Sequence, residues 1–129
     1  MHHINHLMTT IPVSDLERAS RFYSETLGLR KRSEISMEGG IVFSAGDCSD
    51  VLVYKTEAHS GDATVASFMV DDLKDEMRQL RDKGVKFEEY DQPGLKTDHG
   101  VAEEDGFRSA WFKDSEGNVL AVTEGSPLS

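Results

Sequence analysis

Cysteine, proline and positive charge are all scarce in this chain. Among 129 residues there are one cysteine, three prolines and one tryptophan. A lone cysteine forms no internal disulfide, which agrees with a reducing compartment. It sits in the run Gly46-Asp47-Cys48-Ser49-Asp50, which has the composition of a turn. With no histidine near it in sequence, Cys48 reads as a surface thiol and not as a nucleophile. No apolar run approaches the ~20 residues of a membrane span, and the opening residues lack the basic and apolar regions of a signal peptide. The expected location is therefore cytoplasmic, with no membrane partner.

Lysine and arginine number 14 against 24 aspartates and glutamates, a formal net charge of -10. Such a surface repels phosphate backbones and anionic lipids, so nucleic acid is not expected as a partner. The acids are scattered through the chain, as on an ordinary solvated face. The length fits one domain, residues 1–129, able to bury a core.

What the chain does have is a repeated pattern. Residues 6–13 alternate as a strand, with Leu7, Thr9, Ile11 and Val13 on one face and His6, Met8, Thr10 and Pro12 on the other. Ser14 and Glu17 then match a capping box, and Leu16, Ala19, Phe22, Tyr23 and Leu27 follow at helical spacing. Gly28 supplies the left-handed stop. Short strands are predicted over 29–35, 41–44 and 51–55, separated by glycine-rich turns. The cluster His2, His3 and His6 reads as terminal or tag-like, because His3 and His6 have opposite parity in an extended segment.

The second half repeats this order. A strand over 65–70 leads into a helix over 72–83 with Leu73, Met77 and Leu80 as its apolar stripe, then Gly84. A strand is predicted over 85–90, an aperiodic segment over 91–106, and a hairpin of 109–113 and 118–124 around Asp114-Ser115-Glu116-Gly117. The halves are thus tandem βαβββ modules, about 4–57 and 64–125, joined by a linker at 58–63. The predicted class is α+β.

The run Val13-x-Asp15-Leu16-x-Arg18-Ala19-x-x-Phe22-Tyr23-x-x-x-Leu27-Gly28-Leu29 resembles the opening signature of the vicinal oxygen chelate superfamily, which includes glyoxalase I, extradiol dioxygenases and fosfomycin and bleomycin resistance proteins. The ending Trp111-Phe112-Lys113-Asp114-Ser115-Glu116-Gly117-Asn118-Val119-Leu120 is similar to that family's close. The resemblance implies a curled mixed sheet around a cleft, where metal-dependent members hold a divalent ion on histidine and glutamate side chains. Counting from the signatures, those ligand positions fall on Met8, Val53, Val65 and Ala121. None of these offers the imidazole or carboxylate that such an ion needs. A displaced set of His6 and Glu124, with His99 beside them, is the fallback for a divalent metal.

The expectation is therefore a protein that binds a small organic molecule in a largely apolar cleft, with no cofactor. Its expected lining is His6, Met8, Thr10, Val53, Val65, Ser67, Met69, Ala121 and Trp111, with Trp111 left open between core and cleft wall. The loop carrying Lys96 and His99 is either a lid, offering a cation and a proton exchanger, or an ordinary solvated loop. Two other readings stay open: a metal-dependent lyase, isomerase or dioxygenase of the glyoxalase type, and a protein-interaction module with a closed cleft. A homodimer is expected from the family.

Overall fold

The computed structural model describes residues 7–35, 39–57 and 61–125. The chain divides into two compact units, with the boundary at Gly61 and Asp62.

The first unit runs β1 (Met8–Val13), α1 (Leu16–Arg21), β2 (Arg30–Ile35), β3 (Gly40–Ala45) and β4 (Ser49–Lys55), with sheet order β1-β4-β3-β2. Strand β1 lies parallel to β4, and the other pairs are antiparallel. The helix cap sits one residue later than the predicted Ser14. Asp15 has the extended backbone of an N-cap, and its carboxylate accepts from Arg18 N at 3.0 Å. Glu17 does not complete a capping box but pairs along the helix with Arg21 at 3.0 Å.

Beyond Arg21 the helix widens into a π-helical turn, Phe22–Thr26, whose loosened ladder carries Leu27 N–H to the Phe22 carbonyl. Gly28, at φ +72, ends it as the sequence predicts, and Leu29 N–H then reaches back to the Tyr23 carbonyl. Tyr23 is fully buried and lies 6.0 Å from Phe43, ring centre to ring centre. Ile11, Val13, Val51 and Val53 are buried on this same side of the sheet, so α1 covers the odd-numbered face of β1 and β4.

The second unit repeats the plan: β5 (Thr64–Val70), α2 (Leu73–Asp82), a two-stranded ribbon of β6 (Asp91–Gln92) and β7 (Leu95–Lys96), then β8 (Ala102–Glu104), β9 (Phe107–Lys113) and β10 (Val119–Glu124). Its main sheet has the order β5-β10-β9-β8, with β5 parallel to β10. Asp72 caps α2 by accepting from Asp75 N, and Leu73, Met77 and Leu80 are buried as the helical spacing predicts.

The strand predicted over 85–90 is not one. Its contact with the sheet is an isolated bridge, Phe87 to Phe112, with Glu88 N–H donating to the Trp111 carbonyl. The place of a fourth strand is taken by β8, inside the segment read as aperiodic. The cause lies at Glu89, whose carboxylate accepts from Gly100 N at 2.6 Å and from Thr97 Oγ1 at 2.8 Å. Those bonds close 90–100 into a side excursion, and Tyr90 N–H is spent on Thr97 Oγ1. The predicted closing hairpin holds: buried Asp114 accepts from Glu116 N and Asn118 N, and from Asn118 Nδ2 at 2.9 Å.

Candidate functional site

Side chains alternate across a strand, so the residues facing away from each helix follow from the register. In the first unit Thr10 is the register partner of Leu52, and Met8 that of Asp50. These stand on the face turned away from α1. Met8 and Thr10 are exposed there, and Leu52 is half-buried. Val53 lies on the α1 side with no exposed surface, so it does not line the face assigned to it. Leu52 stands where Val53 was expected, and the reason is a one-residue offset between the modules. Thr10 pairs with Leu52, whereas the corresponding Ser67 pairs with Ala121.

In the second unit the face turned away from α2 forms two rows. Ser67, Ala121 and Trp111 are register partners in one, and Met69, Thr123 and Ser109 in the other. Ser67 and Met69 are exposed, Trp111 is half-buried, and Ala121 and Thr123 are buried. Val65 falls at a register shift: Thr64 pairs with Val119 and Ala66 with Leu120, leaving Val65 over at a bulge. Thr123 Oγ1 lies 2.9 Å from Ser67 Oγ and 2.9 Å from Ser109 Oγ, a continuous line of three hydroxyls across β5, β10 and β9. The Trp111 ring meets Tyr90 edge to face, with centroids 5.7 Å apart. Burial raises the Tyr90 phenol above its ordinary pKa, and the carboxylates of Glu88 and Asp62 add to the shift.

Trp111 thus belongs to this open face and not to the core under α2. Thr123, Ser109, Leu52 and Tyr90 were missed in the sequence. Thr123 and Ser109 were within reach of it, because counting outward from the Asp114–Asn118 turn pairs 113 with 119, 111 with 121 and 109 with 123.

Of the fallback metal residues, Glu124 and His99 are described and stand apart from this face. His6 lies outside the described residues. Glu124 is on the α2 side of its strand, where its Oε1 accepts from Leu73 N at 2.8 Å. His99 is almost fully exposed, in a left-handed backbone conformation at φ 54, with Nδ1 at 2.9 Å from Asp98 Oδ1. Lys96 borders an open pocket of about 430 Å³ with Thr97, Asp98, Val101, Glu103 and Arg108. Arg108 and Glu103 point to the α2 side, in an ion pair at 2.9 Å, so Lys96 does not join Ser67 and Trp111.

Among the described residues no three histidine, cysteine or acidic side chains converge as a metal site. Neither Met8 and Leu52 in the first unit nor Val65 and Ala121 in the second offers the imidazole or carboxylate that a hard or borderline divalent ion needs.

Paired βαβββ units, each with its first strand parallel to its last, match a known family. The sequence profile of the Glyoxalase/Bleomycin resistance protein/Dioxygenase superfamily aligns with residues 3–122. This chain belongs to that superfamily. No curated protein matches it at the level of sequence. Among solved structures, superfamily folds similar to it include TnmS3, an antibiotic binding protein from Streptomyces sp. CB03234, at 22% identity and TM-score 0.73, covering 98% of this chain and 99% of that one. A member of the same superfamily from Sphaerobacter thermophilus DSM 20745 has 23% identity and TM-score 0.72, covering 94% and 98%. The fosfomycin resistance protein FosX from Mesorhizobium loti has 19% identity and TM-score 0.67, covering 98% and 97%. At these identities the likeness to solved structures establishes the fold.

Proposed function

We propose that this superfamily member binds a small organic molecule without a resident metal, on the face of the second sheet formed by Ser67, Met69, Ala121, Thr123 and Trp111. The single observation that carries the proposal is the character of that face. It presents a half-buried indole, an exposed thioether and hydroxyls, and at Ala121, the mapped ligand position within it, a methyl in place of a carboxylate. TnmS3, of the same fold, is an antibiotic binding protein, which supports a binding role for such a scaffold. The hydroxyls of Ser67 and Ser109 each bond to that of Thr123, and among the described residues no histidine or carboxylate bonds to the three. That favours holding a ligand over nucleophilic chemistry.

The test pairs elemental analysis of untagged protein with a thermal-shift screen of metabolites and antibiotics. Below about 0.1 mole of transition metal per chain, together with a ligand that raises Tm with the logarithm of its concentration, is the expected result. Near-stoichiometric metal that is lost in His6→Ala would overturn the proposal and favour a displaced metal site.

A cytoplasmic homodimer belongs to the same proposal. Among the described residues no helix is long and apolar enough to cross a membrane. Among the described residues, β1 and β2 are the outer strands of the first sheet and β5 and β8 those of the second. Light scattering should give twice the chain mass, and a monomer mass would remove the dimer.

A further inference from the structure

We infer that Ser67, Thr123 and Ser109 act as a reversible hydroxyl chain that recognises an uncharged oxygen on an aromatic ligand seated against Trp111. The inference rests on the proposed binding face and specifies the chemistry of its ligand.

Each hydroxyl has one proton to donate and two lone pairs to accept with. Thr123 Oγ1 has a hydroxyl oxygen 2.9 Å away on either side and one proton of its own, so it donates to at most one of them. Running the donors one way or the other along the line gives two arrangements. When the chain runs from Ser67 towards Ser109, the Ser67 proton is used and its lone pairs are free to accept. When it runs the other way, the Ser67 proton is free to donate. Thr123 is buried while Ser67 is exposed, so the switch sits inside the sheet and its working end faces out. Ser67 therefore meets a phenol or alcohol as an acceptor, and a ketone or ether as a donor, at little cost.

The surroundings set the rest of the ligand. Ala121 is the register partner of both Ser67 and Trp111, and its single methyl leaves the row low between them. Met69, 54% exposed, stands beside Thr123 as a polarisable contact for an aromatic ring. The two rows Ser67–Ala121–Trp111 and Met69–Thr123–Ser109 contain no charged side chain. The nearest cation in register, Lys113, is already 3.7 Å from Glu88. Among the described residues an anionic ligand would meet in these two rows no counter-charge beyond that paired lysine, on a protein of net charge -10. The ligand class is thus a neutral, oxygenated aromatic compound.

Trp111 is the chain's single tryptophan, so its emission reports on this face. The probes are toluene, p-cresol, 4-methylanisole and p-toluate, titrated against the full chain with excitation at the red edge of tryptophan absorption. The expected order is p-cresol and 4-methylanisole within about threefold of each other, each about fivefold tighter than toluene, and p-toluate weakest.

Ser67→Ala should bring p-cresol and 4-methylanisole to the toluene level without changing toluene. Thr123→Val should weaken both oxygenated probes, and Thr123→Ser should restore them, a rescue that a packing role alone does not produce. If p-toluate binds as well as p-cresol, or if Ser67→Ala leaves all four unchanged, the hydroxyl chain is not the recognition element, while the saturable Trp111 response keeps the binding face. If no probe alters Trp111 emission in a saturable way, both the chain and the face fail.

Discussion

Glu124 Oε1 accepts a hydrogen bond from Leu73 N–H at 2.8 Å, so the last strand caps the start of the second helix. The two residues are 51 positions apart in the chain. The bond places a negative charge at the positive end of α2 and satisfies a first-turn donor that the helix itself leaves open. It also turns Glu124 away from Ala121.

Replacing Glu124 with glutamine keeps an acceptor oxygen and should cost little. Glu124→Ala should lower stability by about 1 kcal/mol, since a carboxylate on a backbone N–H is worth somewhat more than a neutral pair but is partly solvated here. Urea unfolding measures it. A Glu124→Ala chain as stable as the parent would show that Asp72 alone suffices as the cap.

Val53 and Leu52 should differ in what they contribute to stability. Val53 has no exposed surface and packs under α1, so Val53→Ala should cost about 2 kcal/mol through lost burial and a residual cavity. Half-buried Leu52 faces the other way, and Leu52→Ala should cost less than half as much. Equal losses of Tm in the two variants would contradict the register.

Tyr90 should ionise late. Burial first, then the carboxylates of Glu88 and Asp62, raise its phenol above the ordinary tyrosine value, so the folded state holds this proton longer than the unfolded chain. The neutral phenol stabilises the fold fully below the unfolded value, and the contribution to stability changes only as pH climbs through the window between the two values, with the folded state losing ground as alkali releases the unfolded chain's proton first. Tyrosinate quenches nearby indole emission, and the Trp111 ring lies 5.7 Å away. Alkaline titration of Trp111 emission should therefore show a step above pH 10, and Tyr90→Phe should remove that step while leaving the others. A step persisting in Tyr90→Phe would assign it elsewhere.

The Asp114–Asn118 turn should be among the most sensitive surface-remote polar features. Asp114 and Asn118 are both buried, and Asn118 Nδ2 donates to Asp114 Oδ2 at 2.9 Å. Asn118→Ala removes that side-chain bond to a buried carboxylate, at a cost of about 2 kcal/mol. Asn118→Asp should be worse, because it sets two carboxylates face to face. Thermal unfolding ranks the three chains, and an unaffected Asn118→Ala would show the side-chain bond to be dispensable.

Local features were legible in the chain. The α1 and α2 stripes, the left-handed stop at Gly28 and the Asp114–Asn118 hairpin each depend on residues within a few positions of one another, and each stands where spacing and turn chemistry place it. The departures have a common character. The cap shifts from Ser14 to Asp15 because the backbone turns helical one residue later, a difference that pattern alone does not resolve. Residues 85–90 alternate like a strand yet contribute a single bridge, because Glu89 draws Thr97 and Gly100 into a separate excursion. Val53 and Leu52 exchange faces because parity has meaning only once β1 is aligned on β4, and that alignment joins residues more than forty positions apart, as Thr10 and Leu52.

The order of the chain was enough to specify two βαβββ units and their family, because strand alternation, helix stripes and turn glycines are short-range properties that the residues carry with them. Which side of each strand meets a helix was decided only by tertiary pairing. A strand's period of two makes every side chain's fate depend on a single register choice, and that choice is made by the partner strand. So it was the pairing of β5, β10 and β9 that set Ser67, Thr123 and Ser109 in one line, and the packing of α2 on the sheet that brought Leu73 N–H to Glu124 Oε1.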